Sequence, residues 1–155
     1  DHKEMRTFFK YLCIFALVVG LSSCENEDEE FENIDFKVTG IELHDVSVNN
    51  HTHVGTLLAE GGTITFEAKE KNKDSGFVSE VSCGSYRWDR SQLQDIQYPQ
   101  TICNEDWGQV TITSVLPHTT KVVITPNATG STREIRVIFG GAYKTSIVYI
   151  RQPSM

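Results

Sequence analysis

The strongest constraint on the fold of this chain is a series of short segments in which apolar and polar residues alternate. Residues 134–139 alternate over three periods, so that Ile135, Val137 and Phe139 share one side. Residues 63–68 show the same alternation, with the apolar residues predicted to point inward. Successive side chains of a strand point to opposite faces, so this pattern predicts strands that bury one face.

About seven such segments follow one another, separated by Gly, Asn, Asp and Pro, which are turn-forming residues. They are residues 41–48, 63–68, 86–88, 110–113, 121–125, 134–139 and 146–150. The body from residue 34 to residue 155 contains about 120 residues, which suits one domain with a single core. The sequence therefore predicts an all-β fold, a β-sandwich of about seven strands.

Two segments of the body lack this alternation. Residues 89–106 form a long connection, and long connections in compact domains are often binding loops. Residues 49–53, with His51 and His53, are interpreted as a polar turn rather than a metal site, because a metal needs several converging donors.

The N-terminal segment predicts export and lipidation. Arg6 and Lys10 precede an apolar stretch from Tyr11 to Leu21, the layout of a secretory signal peptide. This stretch has 11 residues, fewer than the ~20 that a helix needs to span a bilayer. It ends in residues 21–24, LSSC, which resemble a bacterial lipobox, so Cys24 is the predicted lipidation site and the lipid would anchor the chain to a membrane.

Six acidic residues lie between positions 25 and 32, and this segment resembles the export signal of Bacteroidetes-type surface lipoproteins. A solvated acidic spacer is the alternative interpretation. The predicted organisation is residues 1–23 as an upstream remnant and signal peptide, 24–33 as lipidated cysteine and tether, and 34–155 as one domain. The predicted location is the outer membrane, facing the cell exterior. The body has 13 acidic and 11 basic residues, a net charge of −2, with no basic stripe for nucleic acid.

Two cysteines remain in the body. Cys83 and Cys103 are an even pair in an exported domain, and we predict a disulfide that would stabilise the fold by ~3 kcal/mol. Two reduced, packed thiols are the alternative. Neither cysteine belongs to a CxxC pair, so no zinc site is expected.

The C-terminal segment carries a resemblance to a known family. Trp107 precedes a strand, Asn127 ends one, Arg133 opens the penultimate strand and Gln152 closes the last. This pattern resembles the C-terminal half of the BACON domain (Bacteroidetes-associated carbohydrate-binding, often N-terminal). The resemblance implies an immunoglobulin-like sandwich and a role in glycan or mucin attachment, or in spacing between enzyme modules.

A cluster of flat rings and amides around the irregular region supplies the candidate ligand-binding residues: Tyr86, Trp88, Gln97, Tyr98 and Trp107. Packing of Trp88 and Trp107 in the core is the competing interpretation. No catalytic elbow, P-loop or dinucleotide fingerprint is present, so we expect neither enzymatic activity nor a cofactor. The predicted function is non-catalytic binding of glycans or mucin. The alternative is a structural module that binds surface proteins.

Overall fold

A computed structural model describes residues 32–46, 49–92, 95–104, 108–115 and 119–155. The side chains at 49–50, 103–104, 108–110 and 113–115 are not described. The compact unit comprises Glu32–Met155, so it begins two residues before the predicted start of the body. The predicted lipidation site Cys24 and the ring of Trp107 lie outside the described residues. In the described ranges, no helix is long and apolar enough to cross a membrane.

Eleven strands of the described ranges form two sheets. They are β1 (Phe36–Thr39), β2 (Leu43–Val46), β3 (Asn49–Thr56), β4 (Gly62–Ala68), β5 (Val78–Cys83), β6 (Tyr86–Asp89), β7 (Gln100–Asn104), β8 (Gly108–Val115), β9 (Thr119–Ile124), β10 (Arg133–Gly140) and β11 (Thr145–Gln152). One sheet has the order β1-β4-β9-β8-β7, and the other has the order β2-β3-β11-β10-β5-β6. Short 3-10 helices lie at Glu70–Asn72 and Arg90–Gln92. The predicted all-β sandwich is confirmed.

The strand count exceeds seven because pairing with neighbours recruits segments whose own patterns are weak. Residues 49–53 are not a turn, since they belong to β3, which pairs with β2 and lies parallel to β11. Gln100–Asn104 forms β7 inside the predicted long connection. Strand preference depends on what the neighbouring strands and the core offer, so tertiary pairing overrides a polar local sequence here.

The core lies between the sheets, where the alternating segments meet. Ile135, Val137 and Phe139 of β10 are fully buried, as predicted, and so are the apolar residues of β4. The rings of Phe36, Phe66 and Phe139 pack together, with the Phe66 and Phe139 centroids 4.7 Å apart. Aromatic pairs at such distances add ~0.5–1.5 kcal/mol beyond area burial.

The predicted disulfide is not formed in this structure. Cys83 is a free thiol that packs within the apolar core. It belongs to β5 of the six-stranded sheet, whereas Cys103 belongs to β7 of the five-stranded sheet. Burial raises the pKa of the Cys83 thiol to about 11, with the charge of Arg133 opposing that shift. The side chain therefore behaves as a small apolar residue of the core.

Three of the four positions that carry the family resemblance meet in one buried polar network. Gln152 accepts a hydrogen bond from Arg133 Nε at 2.8 Å and donates from Nε2 to the carbonyls of Leu58, Ala59 and Thr125. Asn127 donates from Nδ2 to the carbonyls of Ser131 and Gln152, both at 2.9 Å. These side chains satisfy backbone groups of two loops, β3–β4 and β9–β10, and of the end of β11, so their role is structural.

Candidate functional site

The candidate site lies on β6, the edge strand of the six-stranded sheet. Its register pairs Tyr86 with Cys83 and Trp88 with Val81, and both partners are core residues. Tyr86 and Trp88 therefore belong to the inner side of the sheet. The intervening residues, Arg87 and Asp89, belong to the outer side. One edge strand thus carries aromatic rings on one face and charged groups on the other.

The charged groups of β6 are held in an ion-pair network. Arg87 donates from Nε to Glu80 Oε1 at 2.7 Å and from Nη2 to Asp89 Oδ2 at 3.0 Å. Arg136 of β10 also reaches Glu80 Oε1, at 3.0 Å. Burial tends to raise the pKa of Glu80, but the hydrogen bond and charge of Arg87 outweigh it and hold that pKa below its usual value. Glu80 is therefore ionised and shared between two guanidinium groups.

A tight turn follows Asp89 and sets the direction of the next residues. Asp89 Oδ1 accepts hydrogen bonds from the backbone amide of Ser91 at 2.9 Å and from its hydroxyl at 2.7 Å. Both hydrogen bonds lower the pKa of Asp89, and the bond from the Ser91 hydroxyl has the larger effect. The guanidinium of Arg90 lies 4.5 Å from the ring centroid of Phe77. This cation–π contact stabilises the turn together with the Asp89–Ser91 hydrogen bonds.

These elements enclose an open pocket of about 280 Å³, lined by Arg87, Trp88, Asp89 and Gln92. The lining residues carry an indole, a guanidinium, a carboxylate and an amide. Drug-sized ligands occupy pockets of ~300–1,000 Å³, so this pocket suits a smaller group. Chemically, it combines an aromatic surface with planar hydrogen-bonding groups.

The structure brings together only some of the predicted ligand-binding residues. Trp88 lines the pocket, although it is half-buried against the core and its indole Nε1 is buried with no hydrogen-bond partner among the described residues. Tyr86 is 43% exposed but does not line the pocket. Tyr98 also packs against the core, and Gln97 is exposed with its carbonyl accepting from Gln100 Nε2. These rings therefore do not form one exposed, coplanar platform.

Sequence reasoning missed Arg87 and Asp89 as residues that line the pocket. Their signal was present, because they alternate with Tyr86 and Trp88 along a short strand. Such a pattern predicts that the charges and the rings lie on opposite faces of the sheet. An edge strand has no neighbouring strand on one side, so residues from both faces can line a pocket there. Asp89, considered above only as part of a long connection, is the residue that ends β6 and begins the turn.

A second cavity of about 160 Å³ lies between the sheets, on the side of β1 and β2. Three of its polar lining residues, Asn33, His53 and Ser146, are joined by hydrogen bonds. His53 Nδ1 lies 2.7 Å from Asp45 Oδ1, and its Nε2 lies 2.9 Å from Asn33 Oδ1, which also accepts from the hydroxyl of Ser146. The remaining lining is largely apolar, so this cavity offers few polar groups to a ligand.

Among the described residues, neither cavity has the donor set of a metal centre. In the ranges that the structure describes, no group of three or more His, Cys, Asp or Glu side chains converges. His53 is engaged by Asp45 and Asn33, as described above. The polar side chains that line the pocket at β6 carry a guanidinium, a carboxylate and an amide.

Comparison with known proteins identifies no family for this chain. No protein-family model and no curated protein matches this chain. A solution NMR structure of a protein from Bacteroides thetaiotaomicron is similar, with 17% sequence identity and a TM-score of 0.46. The similarity covers 77% of this chain and 87% of that one. This likeness is too distant to support an inference about function.

Proposed function

We propose that this protein is a non-catalytic, lipid-anchored surface protein that binds a glycan at the pocket on β6. The observation that carries this proposal is the pocket itself, whose lining residues carry an indole, a guanidinium, a carboxylate and an amide. A sugar ring has an apolar face, which favours an aromatic surface, and hydroxyl groups at its rim, which favour planar polar side chains.

The ion pairs of the pocket favour a neutral glycan over an acidic one. Arg87 already donates to Glu80 and Asp89, so its charge is balanced by two carboxylates. An acidic sugar would have to compete with both of them. Sugar hydroxyls can instead accept from the remaining guanidinium N–H groups and donate to carboxylate oxygens without displacing the ion pairs. The proposed ligand is therefore a neutral sugar unit, such as one in a polysaccharide or a mucin chain.

The proposed location depends on the N-terminal segment. Cys24 would carry the lipid, and the acidic residues after it would direct the protein to the outer face of the outer membrane. Stable anchoring to a membrane requires about two acyl chains or more. Mass spectrometry of the protein from its native host tests this part separately. A peptide in which Cys24 is acylated and N-terminal is the expected result, and an unmodified thiol there would contradict it.

Binding is tested with the full chain on an array of neutral and acidic glycans, followed by titration calorimetry of the hits. Gln92→Ala removes an amide of the pocket, and we expect it to weaken binding at least tenfold. Gln97→Ala is the matched control, because Gln97 is exposed but does not line the pocket. Equal affinities of these two variants, or a preference for acidic glycans, would contradict the proposed site.

Fluorescence gives a second measurement. In a Trp107→Phe background, Trp88 is the remaining tryptophan, since the chain has two. Iodide should quench its emission partially, because the ring is half-buried, and a bound neutral glycan should reduce that quenching. Quenching that no glycan alters would argue against contact with Trp88.

One observation favours the alternative function, a module that binds surface proteins. Trp88 and Tyr98 pack against the core instead of forming an exposed platform. An interaction module needs no such platform, and would use an apolar face elsewhere on the domain. An array without hits would favour this second function.

A further inference from the structure

The described part of the chain enters the sandwich through residues 32–34, which we call the entry segment. Glu32 lies parallel to the start of β11, where its amide donates to the carbonyl of Tyr143 at 2.9 Å and its carbonyl accepts from the amide of Thr145 at 3.0 Å. The side chain of Ile34 is fully buried in the core. The entry segment is therefore attached to the six-stranded sheet at its first residue and to the core at its last.

Asn33, the middle residue of the entry segment, is attached by its side chain. Its Oδ1 lies 2.9 Å from Nε2 of His53 on β3 and accepts from the hydroxyl of Ser146 on β11 at 3.0 Å. Ser146 is fully buried, and the side chain of His53 is 13% exposed. Since β3 and β11 are neighbours, Asn33 joins the entry segment to two adjacent strands of one sheet.

The imidazole of His53 lies between two hydrogen-bond acceptors. Its Nδ1 is 2.7 Å from the carboxylate Oδ1 of Asp45 on β2, and its Nε2 faces Oδ1 of Asn33. A neutral imidazole carries one N–H group, whereas an imidazolium carries two. With the amide oxygen of Asn33 toward the ring, both hydrogen bonds therefore form together only when the ring is protonated.

The other titratable groups near this ring are few in the ranges that the structure describes. Asp35 lines the same cavity, and its carboxylate is paired with the ammonium of Lys71. His51 precedes His53 by two residues, so it lies on the same face of β3. The strands packed against this side contribute uncharged side chains to the cavity: Phe36 and Val38 of β1, Leu43 of β2, Phe66 of β4, and Ser146 and Val148 of β11.

We propose that His53 is a pH-sensitive switch, which as imidazolium binds Asn33 and holds the entry segment on the sandwich. Histidine is the side chain that ordinarily changes its charge between about pH 5 and 8. When the ring loses one proton, the remaining N–H stays on Nδ1, because a hydrogen bond to a carboxylate is stronger than one to an amide.

The other nitrogen then has the wrong chemistry for its neighbour. The lone pair of Nε2 faces Oδ1 of Asn33, and two acceptors cannot form a hydrogen bond. The entry segment is therefore held more weakly as the pH rises. This inference does not depend on the proposed glycan binding or on the lipid anchor, since it concerns contacts within the residues 32–155 alone.

The test is nuclear magnetic resonance of the full chain in mild detergent, over about pH 5 to 8.5. Ring ¹⁵N shifts, resolved for each histidine, report whether His53 carries one N–H group or two. Exchange protection of the Glu32 and Thr145 amides reports the attachment of the entry segment, because these amides make its two hydrogen bonds to β11 and the turn before it.

Protection is expressed as a ratio to that of the Val137 amide, in the buried centre of β10, so that the intrinsic pH dependence of exchange cancels. We expect the ratio to fall at least about fivefold as His53 loses its proton, the effect of one hydrogen bond. His53→Gln removes the titrating ring, and its ratio should not change with pH. His44→Gln is the matched control, because His44 is exposed on β2, and it should retain the wild-type pH dependence.

Thermal melting of each variant checks that it is folded. If His53→Gln is not, Asn33→Ala removes the acceptor instead, and it should also abolish the pH dependence. A His53 ring that carries one N–H group at every pH overturns the proposal. So does a protection ratio that stays constant while His53 titrates, which is the result expected if the Asn33 amide turns over and donates to the neutral ring. A change that follows the titration of His51, or that His44→Gln abolishes, overturns it as well and assigns the effect to another histidine.

Discussion

Arg133 Nε donates a hydrogen bond to Gln152 Oε1 at 2.8 Å, and both side chains are buried between the last two strands and the loops at one end of the sandwich. The amide of Gln152 is suited to this place because it has one acceptor and one donor group. Its oxygen faces a cation, and its nitrogen faces three backbone carbonyls. A carboxylate could serve the first function but not the second.

Replacing Gln152 with Glu should therefore destabilise the fold, although the new charge is opposite to that of Arg133. The second carboxylate oxygen would face the carbonyls of Leu58, Ala59 and Thr125 with no proton to donate. We expect a loss of roughly 3 kcal/mol in the free energy of unfolding, measured by urea denaturation. Arg151→Gln, at the exposed neighbouring position, is the control and should change stability by less than ~1 kcal/mol. A Gln152→Glu variant as stable as wild type would contradict the assigned hydrogen bonds.

The thiol of Cys83 should be unreactive in the folded protein. It is buried, and its pKa is raised to about 11, so thiolate is scarce at neutral pH. Alkylation with iodoacetamide, followed by peptide mapping, should leave Cys83 unmodified under native conditions. In urea without reductant the same residue should be modified fully, because no disulfide protects it. Recovery of a Cys83–Cys103 crosslinked peptide would restore the disulfide predicted from the sequence.

Stability should fall as the pH drops through the range in which carboxylates titrate. The pKa of Glu80 is lowered in the folded state, so the unfolded chain binds more protons than the folded chain as the pH falls. The contribution of Glu80 is therefore fully present above its unfolded pKa of ~4.3 and is lost progressively as the pH falls from there through its lower folded pKa. Urea midpoints at pH 7 and pH 3 should differ less in Glu80→Gln than in wild type. Glu60→Gln, in an exposed loop, should behave as wild type does.

Two adjacent glycines at the end of β10 should respond differently to alanine. Gly140 has φ of +86°, and an added Cβ would lie 2.1 Å from the carbonyl oxygen of Lys144. Gly141 has open space at the same position. We expect Gly140→Ala to lower the free energy of unfolding by about 2 kcal/mol or more, because the backbone must move. Gly141→Ala should leave it within ~0.5 kcal/mol, and comparable losses at both positions would contradict this turn geometry.

The clearest strands could be predicted because their side chains carry the pattern themselves. Residues 134–139 and 63–68 alternate so regularly that the buried face follows from the sequence. The strand β3 could not be predicted in this way. Its histidines, asparagines and threonines resemble a turn, and its extended form depends on hydrogen bonds to β2 on one side and β11 on the other. Those partners are supplied by distant parts of the chain.

The candidate site, too, could be predicted from the sequence only in part. Trp88 could be selected from the sequence because a large ring near polar residues is visible there. Its grouping with Arg87 and Asp89 depends on β6 being an edge strand, and the pairing of Arg87 with Glu80 depends on the β5–β6 register. Trp88 and Tyr98 pack against the core, which for Trp88 agrees with the competing interpretation, because their burial removes apolar surface from water.

By itself, the sequence determined the sheet-forming character of the body, since the alternation of side chains along a strand is a local property of consecutive residues. Only the tertiary structure decided that Cys83 is a free core thiol and that Asn127, Arg133 and Gln152 form one network. The physical reason is that each of these depends on which strands are neighbours. Neighbours are chosen by the burial of the whole apolar surface, which no short segment specifies.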